Sequence, residues 1–190
     1  MERIREVSPR FKARITGVVY LLYFLMAILA QILVSHKFVA YGDATNLIAT
    51  GCYVVLTLLF YAMFKPVNRS LSLLAALFSL AGCVVMTLGL FPRVSLPISP
   101  LLFFRPYCLL IGYLIFRSTF LPRILGMLMA LAGLGWLAFL SPNLAHYLTL
   151  CIEGLGILAE ASLMLWLIVM GVNAQRWNDQ ACTAEAFIHA

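Results

Sequence analysis

The chain has 190 residues, 64% of them hydrophobic and 11% charged, with a net charge of +6 and a mean hydropathy of +1.01. A soluble domain is nearer half apolar and a quarter charged, and no soluble core of this size hides so much apolar surface, so a water-soluble fold is excluded. The apolar runs are continuous instead of alternating, which excludes a transmembrane barrel and predicts an all-α, polytopic transmembrane bundle.

Six spans are expected in chain order, each close to the roughly 20 residues that a bilayer requires. The first 14 residues, M-E-R-I-R-E-V-S-P-R-F-K-A-R, form a basic arm. Residues 15–34 follow as an uncleaved first span: the stretch is long for a signal peptide, and Ile28 before Ala30 spoils a small-x-small cleavage pattern. The second span covers 44–64, with Asp43 in Y-G-D-A-T-N as its N-cap and Asn46 one turn deeper. The third covers 71–90. The fourth, 96–116, is punctuated by Pro97, Pro100 and Pro106; the first two fit an opening turn, whereas Pro106 lies deep enough to kink the helix. Residues 124–140 and 145–172 complete a six-helix domain over 15–172, and 173–190 form a tail.

Orientation follows from the basic residues. Arg3, Arg5, Arg10, Lys12, Arg14, Lys65, Arg69, Arg117, Arg123 and Arg176 fall on one side, against Lys37 and Arg93 on the other. The positive-inside rule therefore places both termini in the cytoplasm, and it explains the net charge without any nucleic-acid role. The basic arm is suited to anionic lipid headgroups, which makes membrane lipids the expected partners.

A charged side chain near the bilayer centre costs about 2.5–3.5 kcal/mol on insertion scales, so each must face protein or water. Arg105, Glu153 and Glu160 are the three that stand out. Seven residues make nearly two helical turns, so Glu153 and Glu160 share one face of the last span, about 10 Å apart. Counted from the outer ends of their spans, Arg105 and Glu153 lie at matching depth and are expected to pair. Glu160 has no arginine at its level, so its carboxyl either carries a proton or faces a water-filled cavity. Tyr53, Tyr107, Tyr113 and Gln31 are hydrogen-bonding side chains in or near the same bundle. The ligand or proton-path candidates are thus Arg105, Glu153, Glu160, Tyr107, Tyr113, Asp43 and Asn46, with the plainer N-cap role favoured for Asp43.

Other chemistries are poorly served. Cys52, Cys83, Cys108, Cys151 and Cys182 show no C-x-x-C spacing and read as packed thiols, not as a disulfide frame or a metal site. Lys12, Lys37 and Lys65 sit at or beyond span ends, so a Schiff base within the bundle has no attachment point. His36 and His146 lie near the outer side without a patterned partner. No H-E-x-x-H, G-x-S-x-G or P-loop occurs, no residue is singled out as catalytic, and no cofactor is implied. The G-L-G steps at Gly133–Gly135 and Gly154–Gly156 suit close packing of the fifth and sixth helices, and Trp136, Trp166 and Trp177 suit packing or interface anchoring.

Four stretches, R-I-T-G-V-V-Y-L-L (14–22), Y-G-D-A-T-N-L-I-A (41–49), L-I-F-R-S-T-F-L-P-R-I-L-G (114–126) and L-W-L-I-V-M-G-V-N-A-Q-R-W (165–177), carry a resemblance that runs nearly end to end. The chain resembles a family of bacterial six-helix membrane proteins known only as a domain of unknown function. The resemblance implies a compact inner-membrane bundle and brings no activity or site residues. Three functions fit the polar residues: binding or transport of a small molecule or proton, intramembrane enzymology on a lipid or apolar substrate with a glutamate as acid or base, and a structural or assembly role. The small size suits homo-oligomerisation, with no feature that fixes a number.

Overall fold

The computed structural model describes residues 8–91, 99–137 and 142–188. Arg3 and Arg5 of the basic arm, Arg93 and Pro97 lie outside these, as does the side chain of His146. The described residues form seven helices and no strand: α1 (Pro9–Ser35), α2 (Val39–Phe64), α3 (Arg69–Gly89), α4 (Leu101–Arg117), α5 (Arg123–Leu137), α6 (Pro142–Val169) and α7 (Ala174–Ile188). Four stretches are long and apolar enough to cross a membrane: α1, α2, α3 and residues 148–169 of α6.

The helix ends follow from local chemistry. Ser8 caps α1, its hydroxyl accepting from the Phe11 N–H at 3.3 Å, with Pro9 in the first position, where its missing N–H costs nothing. Asn68 and Asn173 do the same work ahead of α3 and α7, their side-chain oxygens accepting from the N–H groups of Leu71 at 3.0 Å and Arg176 at 3.2 Å. At the end of α1, Lys37 takes the left-handed conformation at φ 66°. The Lys37 N–H then bonds to Val34 O at 3.0 Å and the Phe38 N–H to Leu33 O at 2.9 Å, a Schellman closure. That tight turn lets α2 begin at Val39, so Asp43 sits inside the helix and the N-cap expected of it falls instead to Phe38, which makes no side-chain cap bond. Pro100 precedes α4 as its N-cap, and Pro106 lies within α4, as the proline pattern predicts.

The helices close into a ring. Each of α1 to α6 packs on its neighbour in sequence, and α6 returns to α1. Backbones meet where side chains are small: a Cβ on Gly126 would lie 2.7 Å from the Phe116 nitrogen, one on Gly112 2.7 Å from the Ala130 nitrogen, and one on Gly17 2.8 Å from the Ile168 nitrogen. The outer surface is apolar, with Val18, Leu25, Ile28, Leu58, Leu77, Val84, Leu134, Ile157 and Leu165 all exposed. Several polar side chains are turned inward, among them Thr16, Thr50, Thr57, Ser72, Ser79 and Arg105. Thr57 and Ser79 share a buried hydroxyl contact of 2.6 Å between α2 and α3. Since the Thr57 hydroxyl donates to Tyr53 O at 2.9 Å, Ser79 is the donor to Thr57.

Towards the basic end, the ring is filled. Leu56, Phe60, Phe64, Leu114, Ile115, Met129, Leu163 and Leu167 are buried, and Phe64 stacks between Phe60 and Phe120 at centroid distances of 5.9 and 6.1 Å. The segment expected as a plain tail contains α7, which docks under this end. Trp177 Nε1 donates to Met63 O at 3.0 Å, Arg176 Nη1 donates to Thr119 O at 3.3 Å, and the Thr119 N–H donates to Gln180 Oε1 at 3.2 Å.

Candidate functional site

Above the packed end, the ring encloses a cavity of about 240 Å³. All six ring helices reach it: Tyr23 from α1, Thr50 and Tyr53 from α2, Cys83 and Met86 from α3, Leu101, Phe104, Arg105 and Cys108 from α4, Trp136 from α5 and Glu160 from α6. At about 1.5 Å per residue counted from the basic helix ends, Tyr23, Cys83 and Trp136 lie about 20 Å in, Arg105 and Tyr53 about 17–18 Å, and Glu160 about 14 Å. The lining thus runs over roughly 12 Å of the bundle, from Cys108 and Glu160 at about 14 Å to Leu101 and Met86 at about 24–26 Å.

Arg105 is the most demanding group there. It is only 9% exposed, its Nε has no hydrogen-bond partner, and it makes no ion pair among the described residues. Pro106 follows it directly and, lacking an N–H, withdraws the bond that would otherwise reach Leu102 O one turn back. The buried Nε and the cavity-facing guanidinium belong to one planar fork of five donors.

Glu160 faces the same cavity from α6, with Tyr20 of α1 beside it. Aromatic rings surround the pair. Tyr23 and Tyr53 meet edge to face at 4.7 Å between centroids, Tyr53 and Phe104 at 5.3 Å, and Tyr53 and Tyr107 at 6.1 Å. Tyr107 is thus buried behind the cavity wall and holds Tyr53 in place.

The candidates divide accordingly. Arg105 and Glu160 come together, and Tyr107 supports them. Glu153 does not: it is exposed on α6, and no ion pair joins it to Arg105. The physical reason is exposure more than level, since Glu153 and the neighbouring Gly154 lie on an open part of α6. Glu153 lies about 24 Å from the basic end of α6, nearly two turns beyond Glu160, while Arg105 lies about 18 Å from the basic end of α4. Tyr113 faces outward at 46% exposure. Asp43 and Asn46 are half-buried in the first two turns of α2 and do not line the cavity, and the Asn46 carbonyl accepts from Thr50 at 2.8 Å. Gln31 is exposed near the end of α1.

The glycines of the two G-L-G steps also divide. Gly135 and Gly156 lie between α5 and α6, against Ile152 at 3.5 Å and Trp136 at 3.2 Å. Gly133 instead receives Leu109 of α4, and Gly154 faces open space. Among the described residues, no group of three His, Cys, Asp or Glu side chains is placed to hold a metal ion.

Sequence reasoning missed Tyr20, Tyr23, Thr50, Phe104 and the cavity role of Trp136. The available signal was Tyr20 and Tyr23, three residues apart and therefore on one helix face, in the middle of an apolar run.

Residues 97–171 match the model of a family described as a domain of unknown function, DUF4386. The likeness to a family of unknown function is borne out over that stretch, which carries α4, α5 and α6 with Arg105 and Glu160. Neither a curated protein nor a solved structure matches the chain.

Proposed function

We propose that this chain is a membrane protein whose helices α1 to α6 all span the bilayer, with both termini in the cytoplasm, and whose central cavity binds or transports a small molecule or proton. The observation that carries the reading is the convergence of Arg105 and Glu160 on one cavity to which all six ring helices contribute. Intramembrane charge is retained at a cost of about 2.5–3.5 kcal/mol per group, and a structural role would repay that cost by direct pairing. Among the described residues Arg105 has no such ion pair, and its Nε is left without a hydrogen bond. Six spans are supported by the ring itself, because α4 and α5 run between α3 and α6. The cytoplasmic side is supported by the basic residues at the packed end, from Arg10 and Lys12 through Lys65, Arg69, Arg117, Arg123 and Arg176. A bacterial cytoplasmic membrane is the setting that the resemblance and the helical architecture favour.

Native mass spectrometry of the detergent-purified chain tests this reading. A small molecule is expected to be released on activation of the wild type and to be missing from Cys83→Phe, whose side chain fills the cavity. No released molecule, or equal release from the two proteins, contradicts it.

A further inference from the structure

Arg105 and Glu160 face one cavity without touching, and each has bonding capacity left over. The guanidinium Nε is a buried donor without a partner among the described residues. The Glu160 carboxyl lies beside Tyr20 and has oxygens that can accept from further donors. An anion alone would satisfy the arginine and leave the carboxylate facing a second negative charge. An amine alone would do the reverse. A molecule with both ends satisfies both groups and adds no net charge to a low-dielectric interior.

The rest of the lining is consistent with this. Tyr53 and Phe104 line the same cavity and present aromatic surface, suited to an apolar body and to a cationic end. The volume of about 240 Å³ exceeds the roughly 150 Å³ of an apolar cavity that admits benzene, the scale of a small organic molecule.

We propose that the cavity takes a small zwitterion with an apolar body, of amino-acid type, its anionic end on Arg105 and its ammonium end on Glu160. This rests on the reading of the cavity as a small-molecule site and names the ligand class. Arg105 then sets the preference for an anionic end, and Glu160 the preference for a cationic one.

The test is thermal unfolding of the full chain in detergent with six probes: L-leucine, L-phenylalanine, their N-acetyl acids and their amides. The free amino acids are expected to stabilise at concentrations at least tenfold lower than either one-ended derivative. In Glu160→Gln the advantage over the N-acetyl acid disappears, and in Arg105→Gln the advantage over the amide disappears. Wild-type protein alone carries the main comparison, so poor folding of a variant does not spoil it. Equal stabilisation by the N-acetyl acids overturns the zwitterion and leaves small-molecule binding standing. Absence of stabilisation by both amino acids also overturns it, and the mass spectrum with Cys83→Phe then decides separately whether the cavity binds anything.

Discussion

Arg105 on α4 and Glu160 on α6 line the same cavity at nearly the same level of the bundle, and no ion pair joins them. Breaking a buried ion pair from one side costs about 3–5 kcal/mol, because the abandoned partner is left uncompensated. Among the described residues Arg105 has no ion-pair partner to abandon. Arg105→Leu is therefore expected to leave the unfolding midpoint in detergent unchanged or raised, while ligand-dependent stabilisation disappears. A loss of several kcal/mol in the apo protein would instead favour the structural reading of this residue.

The contact between α4 and α5 depends on two glycines. Gly126→Val would place side-chain atoms where the Phe116 nitrogen and Gly112 oxygen lie at 2.7 and 2.8 Å from the position of a Cβ. Backbone cannot yield as a flexible side chain does, so the two helices must separate, at a cost of about 1–3 kcal/mol or more. Gly154→Ala is the control. It meets nothing within 4 Å and gains helix propensity, so its midpoint is expected to hold or rise.

Between α2 and α3, Thr57 and Ser79 share a single buried hydroxyl contact of 2.6 Å. A double-mutant cycle of Thr57→Val and Ser79→Ala is expected to show coupling of about 0.6–1.7 kcal/mol, the range of side-chain hydrogen bonds within membranes. Additive losses would mean that each hydroxyl is satisfied by its own helix backbone.

At the packed end, Trp177 fastens α7 to the bundle through its bond to Met63 O. Trp177→Phe keeps much of the ring and removes the donor, so a loss of about 1 kcal/mol is expected together with faster amide exchange confined to α7. Exchange that rises equally across α1 to α6 would show that α7 supports the whole ring.

Much of this fold is legible in the sequence because lipid-facing helices are written as long apolar runs. The runs that begin at Ile15 and Leu71 anticipate α1 and α3 to within a few residues at the lipid-facing core. Helix ends were harder to read, since caps depend on single residues: Ser8 starts α1 well before the apolar run, and the Lys37 turn starts α2 ahead of Asp43. The amphipathic α7 was missed because A-Q-R-W-N-D-Q has no apolar run, and only its docking on Met63 and Thr119 reveals it.

The site was half legible. Arg105 and Glu160 stand out because charge in an apolar run is costly, but the partner chosen for Arg105 was Glu153. That choice came from measuring depth at the outer helix ends, which are not level, because α6 has 28 residues and α4 has 17. Measured from the basic ends, which short turns hold together, Arg105 lies nearer to Glu160. Tyr23 and Trp136 were illegible for another reason: an aromatic residue that lines a cavity looks the same in sequence as one that fills a core.

The most direct measurement is an experimental density map of the protein purified from its own membrane. A small molecule between Arg105 and Glu160, in contact with both and flanked by Tyr53 and Phe104, is the predicted result. A closed bundle in which the Arg105 guanidinium rests directly on the Glu160 carboxylate, with no space between α4 and α6, would contradict the account.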